Sequence, residues 1–151
     1  MPAFVRSVII DAPVDHVFRF HEREDALSLL TPAFPPVRVI SRIGGIETGG
    51  RVVLRVAVFD WVAVHTAYER NRLFVDQQIQ GPFAKWVHRH EFEPAGTKTC
   101  LTDRVDYELP GGSPVNRIFG WMVNLGLRNM FAHRHRVTKK VCEEHSVGES
   151  L

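Results

Sequence analysis

Alternation along Trp86-Val87-His88-Arg89-His90-Glu91-Phe92 sends Trp86, His88, His90 and Phe92 to one side of a strand and Arg89 and Glu91 to the other. Two imidazoles between large aromatic rings on an inward face are costly as packing alone, because unpaired polar groups lose free energy on leaving water. The face is therefore expected to line a cavity. If Pro94-Ala95-Gly96-Thr97-Lys98 closes a regular hairpin, Phe92 stands opposite Leu101, His90 opposite Asp103, His88 opposite Val105 and Trp86 opposite Tyr107. A carboxylate beside His90 would fix its tautomer and favour its charged form. Such a pair either satisfies its own buried polarity or orients a ligand and moves a proton.

His88-Arg89-His90 also directs two rings to one side, as two metal ligands would be, but a catalytic metal needs a third. Asp103 is the nearest candidate, with His21 or His133 as others. Local spacing fixes none of them, so no metal is assigned. His133 and His135 lie about 200° apart around a helix and do not chelate one ion together.

The elements that must carry these residues are legible in outline. Phe4 to Ile10 is rich in β-branched residues and reads as a strand, and Asp11 can cap a helix with Pro13 in its first turn. Val14, Val17, Phe18 and His21 fall at helical spacing, and Ala26 to Leu30 continue as a second short helix until Thr31-Pro32. Apolar runs follow at Val37 to Ile43, Val52 to Phe59, Trp61 to Tyr68 and Leu73 to Ile79. Gly44-Gly45, Gly49-Gly50, Asp60 and Asn71 separate them as turn residues. Phe83 to Glu93 and Thr99 to Leu109 complete an antiparallel meander of about seven strands. Ser113 then caps a long final helix with Pro114 in its first turn. Val115, Phe119, Met122, Gly126, Met130, His133, Val137 and Val141 form its apolar stripe, expected to face the sheet. Gly126 could admit a close neighbour or a bend.

With 151 residues and 44% hydrophobic content the chain suits one domain, 1–151, with a real core. Its formal charge of +2, from 19 basic and 17 acidic residues, gives no nucleic-acid footprint and no strong attraction to anionic membranes. No signal-peptide pattern opens the chain and no apolar run reaches the roughly 20 residues of a membrane span, so a cytoplasmic protein without integral membrane association is expected. Cys100 and Cys142 lack zinc or disulfide spacing and read as reduced and structural. Gly44 to Gly50 lacks the nucleotide-loop patterns, and Ser41 and Ser113 lack the surroundings of a hydrolase nucleophile. Arg134-His135-Arg136 with Lys139-Lys140 suits the C-terminal part of a helix. Trp121, Leu125, Leu127 and Phe131 fall off the stripe, and a homodimer surface, a cavity mouth or a bent helix would each explain them.

Strand, two short helices, six strands and a long helix is the order of the helix-grip fold, an α+β architecture in which a curved antiparallel sheet wraps a C-terminal helix. The sequence resembles the SRPBCC superfamily, which includes START-type lipid carriers, birch-pollen-allergen relatives and polyketide cyclase/dehydrase-like proteins. The resemblance spans roughly Phe4 to Val141. It rests on Ile10-Asp11-Ala12-Pro13-Val14, Gln78-Ile79-Gln80-Gly81-Pro82-Phe83, the Trp86 to Phe92 strand, Leu101-Thr102-Asp103 and Arg134-His135-Arg136-Val137. The last four look like a bacterial ligand-binding subgroup. It implies a cavity between sheet and helix that takes a small hydrophobic molecule, with no cofactor required. The expected sheet wall is Trp86, His88, His90, Phe92, Asp103 and Tyr107, and the helix wall Met122, Met130 and His133. Resemblance also favours Gln78 as a polar lining group, although the apolar content of Leu73 to Gln80 favours the opposite strand face. A cofactor-independent cyclase/dehydratase would use His90, oriented by Asp103, to move a proton. An interaction or stress-associated protein with an incidental cavity is the third reading.

Overall fold

The computed structural model describes residues 2–149, with side chains described through 144. The chain runs β1 (Ala3–Ile10), α1 (Val14–Glu22), α2 (Ala26–Leu30), β2 (Val37–Ile43), β3 (Arg51–Val56), β4 (Phe59–Glu69), β5 (Leu73–Gln80), β6 (Lys85–Ala95), β7 (Lys98–Glu108) and α3 (Ser113–Glu149). All seven strands join one antiparallel sheet in the order β1-β7-β6-β5-β4-β3-β2. Bulges at Ile40 of β2, Thr66 of β4 and Ile79 of β5 bend those strands, which increases local twist and curls this half of the sheet. The expected helix-grip arrangement, with two short helices after β1 and a long terminal helix, is the one observed.

Several boundaries differ from the expectations for local reasons. The β6–β7 loop is two residues long, because Pro94 and Ala95 pair with Thr99 and Lys98 and Gly96 takes the positive φ (64°) of the tight turn. Asp60 is not a turn residue. The chain reverses at Ala57-Val58, with Ala57 at φ 53°, and Asp60 joins β4, where it meets Arg55 of β3 across the pair. Asn71 does take the turn, at φ 63°. Asp11 does not cap α1. Pro13 occupies the N-cap position without a side-chain bond, while the Asp11 amide donates to Glu143 of α3.

The largest correction concerns α3. Gly120, Leu127, Phe131, His135, Thr138 and Cys142 are buried, and Asn116, Val123 and Arg134 are half-buried. The centre of the buried face is thus displaced by one residue from the expected stripe, about 100° around the helix, while Met130, Val137 and Val141 of that stripe pack half-buried against the core. Met122 is 52% exposed, Phe119 and Gly126 are exposed, and Leu127 and Phe131, expected off the stripe, are core. Gly126 has no close neighbour; Gly120 instead faces the Tyr107 hydroxyl, which donates toward Gly120 O at 3.2 Å and Asn124 Oδ1 at 3.0 Å. The expected stripe maximised apolar residues, whereas the observed one places polar side chains against polar partners on β7. Trp121 and Leu125 are exposed beside Ile118, Phe119 and Met122. Among the described residues no helix is long and apolar enough to cross a membrane.

The core divides in two. One cluster gathers Ile10, Val17, Phe18, Leu30, Phe74, Phe92, Leu101 and Cys142 beneath α1, and the other gathers Trp86, Val105, Tyr107, Leu127 and Phe131 under the first half of α3. On each of β6, β7 and α3 the residues between these clusters are polar: His88 and His90, Asp103, and His135.

Candidate functional site

Strict alternation buries Trp86, His88, His90 and Phe92 on β6 and Leu101, Asp103, Val105 and Tyr107 on β7, in the register expected from the sequence. Direct opposition sets His90 against Asp103. The pair is part of a larger cluster. Asp103 Oδ1 accepts from His88 Nε2 at 2.8 Å and lies 3.0 Å from His90 Nδ1, while Oδ2 accepts from His135 Nε2 at 2.6 Å. Asp76, on the adjacent β5, reaches His90 Nε2 at 3.1 Å and lies 3.6 Å from His88 Nδ1. The β5 face is thereby decided: Phe74, Asp76 and Gln78 turn inward, and Ile79 is largely exposed.

Electrostatics distinguishes the two imidazoles of β6. Burial opposes charge on His90, but bonds to Asp103 and Asp76 outweigh it and raise its pKa. Its Nε2 bonds to Asp76 and its Nδ1 lies 3.0 Å from Asp103, and a carboxylate beside each nitrogen favours the imidazolium. Burial and the neighbouring His90 charge lower His88, against the pull of Asp103. The His88 and His90 rings lie 3.7 Å apart, so two charges there would repel strongly. Burial works against both carboxylates, yet the imidazoles prevail: Asp76 falls to about 2, helped first by the His90 bond, and Asp103 well below the ordinary range, helped first by His135.

An apolar collar surrounds this polar centre. His90 stacks on Phe74 at 3.9 Å, His88 meets Phe131 edge-on at 5.1 Å, and Trp86 packs against Trp61 and Phe83. His21 of α1 stands edge-on to Phe92 and His90, with Nδ1–H donated to Val17 O at 2.8 Å. Burial, then the His90 charge, lower His21 to about 4. Arg134 extends over Phe131, with its buried Nε unpartnered. An open groove of about 360 Å³ lies between β1 and α3, lined by Ala3 to Arg6, Asn124 and Arg128. Phe4, on its wall, stacks on Phe131.

All six residues expected on the sheet wall are therefore inward and buried. The helix wall differs: Leu127, Phe131 and His135 face the sheet, Met130 and His133 are half-buried on the flank, and Met122 is exposed. Gln78 is inward but engaged, since its amide donates to Phe83 O at 2.8 Å and accepts from Phe83 N at 3.3 Å, clamping the β5–β6 turn. Asp103 lies against the far nitrogens of the His88–His90 pair, whereas it is Asp76 whose carboxylate groups with the near ones, within 4.8 Å. Sequence reasoning assigned no role to Asp76 and left His135 off the stripe. A helix phase chosen to give Asp103 a polar partner would have found His135. Both cysteines are free, and burial pushes the Cys142 thiol up to about 12, leaving it protonated.

The pattern of the family described as polyketide cyclase / dehydrase and lipid transport matches residues 10–136, which includes every residue of this cluster. The chain belongs to that family. Its fold is shared with the aromatase/cyclase Zhui from Streptomyces sp. R1128 (12% identity, 94% of this chain and 93% of that one, TM-score 0.71). The same holds for norcoclaurine synthase from Thalictrum flavum, solved with dopamine and hydroxybenzaldehyde (15% identity, 95% and 87%, TM-score 0.71). A nucleoside-diphosphate sugar epimerase structure from Corynebacterium glutamicum matches at 25% identity and TM-score 0.74 over 91% of this chain. This polyketide cyclase/dehydrase-family chain spans only 28% of that epimerase chain. No curated protein matches it in sequence. At identities of 12–15% the likeness speaks for fold alone, since one fold hosts many activities.

Proposed function

We propose that this chain binds a small, largely apolar molecule between the sheet and α3, with the carboxylate–imidazole cluster orienting its polar end. The observation that carries this reading is Asp103, a buried carboxylate gathering His88, His90 and His135 midway between two apolar clusters. Aromatic walls with a few convergent polar groups are the usual make-up of small-molecule sites. Phe4, on the wall of the groove, stacks on Phe131, whose ring in turn meets His88 edge-on. Native mass spectrometry of untagged protein tests for a copurifying small molecule, and an apolar fluorescent probe tests occupancy directly. Trp86→Ala is expected to weaken probe binding. A wild-type interior that excludes the probe and releases no small molecule overturns the reading.

A second reading, proton transfer of the cyclase/dehydratase kind, draws on His90 alone. Held as an imidazolium between Asp103 and Asp76, it is a proton donor at the centre of the site. Turnover of a carbonyl substrate that disappears in His90→Ala while probe binding survives separates this reading from binding alone. Association of two copies through exposed Trp121 and Leu125 is part of the same proposal, and light scattering on wild type and Trp121→Glu checks it.

A further inference from the structure

Three donor atoms converge on one point beside the β5–β6 pair: Asp76 Oδ2, His88 Nδ1 and His90 Nε2. The carboxylate oxygen stands 3.6 Å from the first nitrogen and 3.1 Å from the second, and the three residues present donor atoms all within 4.8 Å of one another. Ligand atoms held about 2.1 Å from a divalent ion at angles of 90–110° lie roughly 3.0–3.4 Å apart. The two carboxylate–imidazole separations are near that range, and the two nitrogens lie within 4.8 Å of each other, so a small ring adjustment would complete the set. Its other half is equally specific. The far nitrogens, His88 Nε2 and His90 Nδ1, both meet Asp103 Oδ1, at 2.8 and 3.0 Å. Imidazoles that ligate metals generally donate their other N–H to a carboxylate, which fixes the ring and the tautomer.

We infer that Asp76, His88 and His90 form a site for one divalent transition-metal ion of the zinc or iron(II) type, with Asp103 as the outer carboxylate aligning both imidazoles. Two imidazoles and one carboxylate suit such ions better than calcium or magnesium, which prefer all-oxygen shells. Three protein ligands leave at least one position for water or a bound molecule. The side that opens is that of Asp76, whose side chain is 19% exposed against 5% and 7% for His88 and His90. Charge balance is also favourable, because the carboxylates of Asp76 and buried Asp103 share this centre.

The inference stands apart from the ligand-binding proposal, and its test keeps the two separable. Untagged protein is stripped with chelator and titrated with Co²⁺ and, separately, Zn²⁺. Calorimetry and the visible ligand-field absorption of cobalt serve as readouts, and far-ultraviolet circular dichroism checks the fold. One equivalent is expected to bind, with affinity lost by about 100-fold or more in Asp76→Asn and in His88→Ala, and weakened by about 10–100-fold in Asp103→Asn. Asp76→Asn is near-isosteric, so it reports even if His88→Ala does not fold. Absence of stoichiometric binding to folded wild type overturns the metal site, as does binding that survives Asp76→Asn in folded protein. Apolar-probe binding, measured on the same samples without metal, then shows whether the ligand-binding proposal stands by itself.

Discussion

His21 offers a quantitative test of whether the interior beside His90 is dry. Its ring is buried among Phe20, Phe74, Phe92 and His90, its Nδ1–H bonds to Val17 O, and its pKa falls to about 4. The unfolded chain takes up this proton near pH 6.5, whereas the folded protein resists until about pH 4. Stability from His21 is therefore fully present above pH 6.5 and is lost as pH falls toward 4. Integrating the difference in bound protons gives a loss of about 2 kcal/mol between pH 7 and pH 5, reaching about 3 kcal/mol at pH 4. His21→Phe keeps an aromatic ring of similar size and removes the titration. Urea unfolding of both proteins at pH 7, 5 and 4, with chelator present, should show the wild type losing about 2 kcal/mol more than the variant by pH 5. His88 and His65 are also lowered by burial, and His90 is raised, so the difference between proteins rather than the wild-type slope carries the result. Parallel pH profiles, or an NMR titration of His21 near pH 6.5, would refute the reasoning and with it the dry interior.

Asp103→Asn leaves three imidazoles without their anion and is expected to cost about 3–5 kcal/mol at pH 7. Because Asp103 is held well below its usual range, that contribution is present above about pH 4 and fades on further acidification, so the gap to wild type should narrow there. The His90 pKa should also drop, as read by NMR, and an unchanged His90 titration would remove the pair. Leu127→Ala should destabilise by about 2–5 kcal/mol in urea unfolding while Met122→Ala costs under about 1 kcal/mol; the reverse order would restore the expected stripe. Gln78→Ala removes two bonds to Phe83 and should cost about 1–3 kcal/mol with apolar-probe affinity unchanged, whereas a loss of affinity would put Gln78 in the ligand wall.

The sequence alone determined the order of elements and the His90–Asp103 register, because both follow from short-range periodicity. Side chains on a strand alternate with period two, and a hairpin closed by Gly96 leaves little freedom in pairing. Turn positions were legible where backbone chemistry demands a residue type, as at Asn71, and not where strand pairing won, as at Asp60. Only the tertiary structure decided which face of α3 meets the sheet. A helix of many apolar residues offers several stripes of similar hydrophobicity, and the choice fell to partners distant in sequence, namely Tyr107 for Gly120 and Asn124, and Asp103 for His135. The same holds for Asp76. Its inward turn exposes Ile79, contrary to apolar content, and depends on a strand neighbour supplying His88 and His90. The carboxylate–imidazole cluster is thus a product of three strands and one helix meeting at a point, where each polar group is tolerable only because the others are present.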